Sequence, residues 1–197
     1  MASSAIAPEL QAILVALDEA DADARAVAAG LTDAQGVWRE EPGRWSVSEC
    51  LDHLARINRV YLAAMGEPAR RAQQAGHTRR RPARPGIIGR WFVRTMEPPV
   101  SMKMKAPSGT EPRPAPPLTD ALAAFLASQD DVRRFIADYG HLDLARVRFP
   151  NPFVTGIRFS LATGLHVVPA HDRRHLSQAW RARRAAEQQG ADSTRPE

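Results

Sequence analysis

His171 and His175 stand four residues apart in the string His171-Asp172-Arg173-Arg174-His175, and Gln178 follows three residues later. Residues three and four apart on a helix share one face, one turn above the other, so two imidazoles at this spacing can grip a single ion. At about 100° per residue, His171, His175 and Gln178 form one stripe. It flanks the apolar face of Leu165, Val168 and Ala179, where a helical bundle places inward-facing ligands. His166 projects to roughly the opposite side. The same spacing also suits two polar residues on a partly exposed face. Asp172 occupies the place where the H-E-x-x-H protease motif has its glutamate, so proteolysis is disfavoured.

A third ligand has to come from another helix, and His53 is the candidate. It lies beside Ile57 at the edge of an apolar stripe, a place that a satisfied boundary histidine also takes. Three residues are candidates for a catalytic role. Gln178 can hold a ligand or a metal-bound water, or simply line the bundle. Asp172 faces the apolar stripe; it is expected to pair with an arginine from another helix and is otherwise a candidate base. Arg174, like Arg173, is a helix-face charge or a receiver for an anionic substrate. Glu49, one turn before His53, either caps its helix or holds the second ring nitrogen of that histidine. Cys50 faces the core as a small hydrophobe. His77 and His141 fall in or near loops, with no partner at ligand spacing.

Four segments have the periodicity needed to position these residues. The first runs from Pro8 to about Leu31, with Leu10, Ile13, Leu14 and Leu17 on one face, proline in its first turn and Gly30 marking its end. The second starts at Ser46 and reaches about Arg71, on a stripe of Val47, Cys50, Leu51, Leu54, Ile57, Tyr61 and Met65. Ser46 and Glu49 make an S-x-x-E capping box, and Trp45 can staple the entry against Cys50. The third spans Thr119 to Tyr139, with Thr119 as its expected N-cap and Gly140 as its stop. The fourth begins after Gly156 and continues to about Gln189; Pro169 inside it should kink it. Between the second and third lies a proline-rich connection over about 76–117. Its middle, Ile87 to Met96, reads as a short apolar helix, and Lys103 to Pro117 as irregular loop. Few segments look like strand. The fold class is therefore all-α, a four-helix bundle with a long crossover connection.

Length and composition agree. The 197 residues, 44% hydrophobic and 25% charged, suit one globular domain over 1–189 with a disordered polar tail at 190–197. They exclude a wholly disordered chain, a collagen-like repeat and a coiled-coil rod. Aromatic residues are only 6%, so the core rests on Leu, Ile, Val and Ala. The net charge is +5, and Lys103 and Lys105 are the sole lysines. Arg70, Arg71, Arg79, Arg80, Arg81 and Arg84 cluster in a stretch that has no RRM, KH, zinc-finger or helix-turn-helix pattern, so nucleic acid is disfavoured as a partner. One cysteine allows neither an internal disulfide nor a thiolate zinc cluster. With no signal-peptide pattern and no apolar run of about 20 residues, the expected location is cytoplasmic, with no membrane partner.

The segment Gly43-Arg44-Trp45-Ser46-Val47-Ser48-Glu49-Cys50-Leu51-Asp52-His53-Leu54 resembles the W-S-x-x-E-x-x-x-H-L signature of the DinB-like superfamily. Ala170-His171-Asp172-Arg173-Arg174-His175-Leu176-Ser177-Gln178 resembles its H-x-x-R-H-x-x-Q motif, and Met102-Lys103-Met104-Lys105-Ala106-Pro107 is similar to a loop of one branch. The resemblance covers about Pro8 to Arg184. It implies a DinB/YfiT-like four-helix bundle holding a divalent metal, usually zinc or nickel, through His53, His171 and His175. Some related bundles transfer or isomerise with low-molecular-weight thiols such as bacillithiol or mycothiol. The implied function is a metal-dependent enzyme of thiol S-transferase type acting on a small-molecule substrate. The alternative is a non-catalytic, stress-related protein that binds a metal or small ligand. Related bundles often pair, which implies a homodimer.

Overall fold

The computed structural model describes residues 6–98 and 109–192. Four long helices dominate: α1 (Pro8–Ala28), α3 (Val47–Gln74), α5 (Leu118–Tyr139) and α6 (Leu161–Asp192). Both α1 and α3 pack against both α5 and α6, which closes a four-helix ring. Two buried clusters fill it. One, around Leu17, Tyr61, Met65 and Phe149, serves one end; the other, around Leu51, Leu54, Phe125 and Leu176, serves the other. The all-α bundle follows from the apolar stripes of these helices, each of which needs a neighbour to cover it.

Local chemistry sets most boundaries. Pro8 occupies the first turn of α1, and Gly30, at φ 74°, takes the left-handed conformation just beyond its end. Ser46 caps α3 with Glu49 in a complete capping box. A second box, Thr32 with Gln35, starts the short α2 (Asp33–Val37), which the hydrophobic periodicity did not reveal. The start of α5 differs from expectation. Its N-cap position is Pro117 rather than Thr119, and the free Leu118 N–H is satisfied from outside by Asp33 Oδ1 at 3.1 Å. α6 passes through Pro169 and ends at Asp192. It is preceded by a small hairpin in place of the expected extra helical turn. Strands β1 (Arg148–Pro150) and β2 (Arg158–Ser160) pair antiparallel, with Phe149 opposite Phe159 and both rings buried. The Met102–Pro107 loop lies outside the described residues, as do residues 193–197.

The connection carries α4 (Ile87–Met96), which packs along α6. Gly89 makes that approach possible: a Cβ there would stand 2.4 Å from Thr163 Oγ1. Arg173 forms a bidentate ion pair with Glu97 just past α4, and Arg174 Nη1 donates to the Thr95 carbonyl at 3.3 Å. At the other end of the connection, Ala83 N–H donates to Glu9 Oε1 at 2.8 Å, and the Ala83 carbonyl meets His166 Nε2 at 3.2 Å. Among the described residues, no helix is long and apolar enough to cross a membrane.

Candidate metal centre

One turn of α6 sets His171 and His175 side by side, with ring centroids 4.5 Å apart. The packing of α3 on α6 then brings in His53, 5.2 Å from His171 and 4.6 Å from His175. Each ring offers one nitrogen to the group, and these nitrogens all lie within 4.8 Å of one another. His53 and His175 are buried, and His171 is half-buried as a residue with its Nδ1 enclosed.

The ring orientations are fixed by partners on three different segments. His53 Nδ1 donates to the Thr110 carbonyl at 2.6 Å, which leaves Nε2 with its lone pair. His175 Nδ1 donates to Gln178 Oε1 at 3.1 Å, with the same result. His171 Nδ1 is buried and has no hydrogen-bond partner among the described residues. A buried polar atom without a partner costs about 1–3 kcal/mol, and a ligand-binding nitrogen is one reason for a protein to carry that cost. Burial, together with the other two imidazoles, holds the His171 pKa well below the usual histidine value. Burial also lowers His53, against the pull of Thr110, and takes His175 down to about 3. Three neutral imidazoles are the protonation state that metal binding needs.

Thr110 reaches His53 because the end of the connection is tied down on both sides. Asp52 accepts from Arg113 N and Nε at 2.9 and 2.8 Å, with Arg113 Nη2 in ion-pair contact at 2.8 Å, and Arg56 Nη2 donates to the Gly109 carbonyl at 3.1 Å. Asp52, His53 and Arg56 belong to one stretch of α3. That helix therefore presents a histidine and also grips the segment that orients it. Motif reading missed Thr110 and Arg113, because the sequence pairs neither with His53.

Trp45 has a larger part than a helix staple. It packs on the core cluster that contains Cys50, and its ring lies 4.7 Å from His53 and 5.5 Å from His175, nearly parallel to the latter. It forms an aromatic wall over two of the three imidazoles. Glu49 does not reach His53. Its Oε2 accepts from Ser46 N–H at 3.0 Å and from Arg39 Nε at 2.9 Å, and Arg39 Nη2 holds the other oxygen. Burial alone would raise its pKa, but Arg39 and the Ser46 amide outweigh it and hold the carboxyl below the ordinary value.

The remaining candidates separate. Gln178 sits at the site as the partner of His175. Asp172 is not in the histidine group. It is fully buried and accepts from Gln129 Nε2 of α5 at 2.9 Å rather than from the expected arginine. Its neighbours on α6 are arginines, but Arg173 turns to Glu97 and Arg174 to Thr95. Burial pushes Asp172 up to about 7. Burial likewise lowers Arg174. Cys50 is fully buried, and its thiol is pushed up by burial, which makes it an inert core residue.

A family model described as the DinB superfamily matches residues 16–179, and that span contains all three histidines. The chain belongs to the DinB superfamily. Within a DinB-type bundle, a buried three-histidine group on α3 and α6 that could hold a metal ion is the main chemical feature. Neither the curated proteins nor the solved structures give a match.

Proposed function

We propose that this DinB-superfamily chain binds a divalent metal, zinc or nickel, through His53, His171 and His175, and that it is an enzyme of thiol S-transferase type. The observation that supports this reading is the set of three neutral imidazoles whose nitrogens lie within 4.8 Å of one another. Two are fixed in tautomer by Thr110 and Gln178, and the third has a buried nitrogen without a partner among the described residues. An all-imidazole donor set suits zinc or nickel over magnesium or calcium. Three protein ligands leave room for an exogenous one, the pattern of a catalytic rather than a closed structural centre.

A divalent ion held there supplies Lewis acidity, lowering the pKa of a thiol or water placed beside it. The chain's own residues do the rest. Thr110 and Gln178 keep two rings aimed, so little reorganisation is needed when a ligand arrives. Trp45 shields His53 and His175 from water and offers an apolar wall to a small organic substrate.

Elemental mass spectrometry on untagged protein purified without chelator tests the metal reading. About one metal per chain is expected in the wild type, with loss in both His53→Ala and His171→Ala. Absence of metal after loading with zinc and nickel would overturn it. The loaded protein is then given low-molecular-weight thiols with alkyl and aryl electrophiles. Consumption of a thiol that depends on His171 supports the transferase reading. Full metal occupancy with every pair unreacted would leave a non-catalytic binding protein.

A further inference from the structure

The hairpin beside α6 concentrates positive charge without an obvious structural use. Phe149 and Phe159 pair across β1 and β2 and point into the core, so the alternation of a strand turns Arg148 and Arg158 outward on the same side. Arg158 Nη2 donates to the Arg148 carbonyl at 3.3 Å, which draws its guanidinium across the neighbouring strand. Arg146 lies two residues before Arg148. Opposite them, the last turns of α3 present Arg71, followed by His77. Together these residues line a cleft of about 460 Å³ with Ala72 and Val147 among its apolar lining, and no carboxylate lines it among the described residues.

The charges are poorly compensated. Arg71 has Glu67 Oε1 at 3.6 Å, but that carboxylate also serves Arg70. Arg146, Arg148 and Arg158 pair with no carboxylate among the described residues. The C-terminus of α3 offers roughly half a negative charge, too little to balance three guanidiniums. Like charges gathered on one face of a hairpin repel, and an anion in the cleft would relieve that repulsion. Guanidinium groups favour phosphate, which they meet with two parallel hydrogen bonds. The volume falls within the usual ligand range of about 300–1,000 Å³. The apolar lining suits a carbon moiety, and four arginines line the one cleft.

We infer that this cleft, lined by Arg71, Arg146, Arg148 and Arg158, binds a small phosphorylated organic anion of nucleotide size. It is a separate site from the histidines, since His53 to Arg71 spans about 27 Å of α3 at 1.5 Å per residue. The arginines are exposed, so replacing them leaves the fold intact.

The test is a fluorescence titration of metal-free, full-length protein with a fluorescent ADP analogue at low salt. Unlabelled ADP, inorganic pyrophosphate and a short DNA duplex serve as competitors. Saturable binding displaced by ADP is expected. In R148Q/R158Q it should weaken by about a hundredfold, each of the two lost charge-assisted hydrogen bonds being worth about one factor of ten. The thermal midpoint should not move, and His171→Ala should bind as the wild type does. Three results would overturn the inference: no saturation at millimolar probe, unchanged affinity in R148Q/R158Q, or loss of binding in His171→Ala. Tighter binding of the duplex than of ADP, with a steep salt dependence, would also overturn it and assign the cleft to nucleic acid.

Discussion

Asp52 holds Arg113 by its backbone and its side chain at once, accepting from N and Nε at 2.9 and 2.8 Å and pairing with Nη2 at 2.8 Å. The Arg113 side chain is 53% exposed while Asp52 is buried, so water screens one side of the pair and tempers its contribution to global stability. Its effect is local: it fixes the segment whose Thr110 carbonyl orients His53.

Replacing Asp52 with Ala should therefore leave the bundle folded and weaken zinc affinity by about 10–100-fold, the usual cost of losing the support of a metal ligand. Competition with a chromophoric chelator measures this directly. Unchanged affinity with unchanged helicity would show that the Thr110 contact survives without its tether.

Metal binding couples to stability. At a free metal concentration a thousand times the dissociation constant, the folded state gains about 4 kcal/mol. For a chain of this size that corresponds to a rise of about 8–16 °C in Tm. Thermal melts with zinc and with chelator should differ by that amount in the wild type and coincide in His175→Ala. Equal melts in the wild type would argue against a preformed site.

The histidines also make the metal-free protein sensitive to acid. Their folded pKa values lie below the ordinary histidine value, with His175 at about 3. Between about pH 6.5 and those values the unfolded chain binds more protons than the folded one, so stability rises with pH and is lost as pH falls. Each histidine contributes up to about 1.4 kcal/mol per pH unit in that window. Denaturant midpoints of the metal-free wild type should drop from pH 7 to pH 5, more steeply than those of His175→Gln. Parallel profiles would mean that His175 protonates as easily folded as unfolded.

Gly89→Ala should unseat α4. The added Cβ would stand 2.4 Å from Thr163 Oγ1 and 3.1 Å from Pro85 Cβ, and Thr163 is buried. Overpacking of this kind costs about 1–3 kcal/mol. A lower denaturant midpoint is expected, recovered in part when Thr163 is also reduced to Ala. No change in the single variant would show that α4 shifts freely on α6.

Helix content was legible because the signals are local. The capping box at Ser46 and Glu49, the proline at Pro8 and the stripe from Val47 to Met65 each act within a few turns. The T-x-x-Q box of Thr32 and Gln35 was equally local, but α2 is too short to show a period. The start of α5 could not be read from its own residues, since its cap is Asp33, 85 positions away. The hairpin was obscured because three-residue strands carry almost no alternation to detect.

The sequence by itself determined that His171, His175 and Gln178 share one face of a helix, because 3.6 residues per turn leaves no other arrangement. It also set out the Ser46 and Glu49 capping box, which closes within one turn, but left open whether Glu49 reaches His53. Only the tertiary structure decided that His53 meets them, that Trp45 lies over the rings, and that Thr110 holds His53 while Asp172 turns to Gln129. Those relationships depend on how α3, α5 and α6 are rotated against one another. That rotation is set by the packing of whole apolar faces, and no short stretch of sequence encodes it.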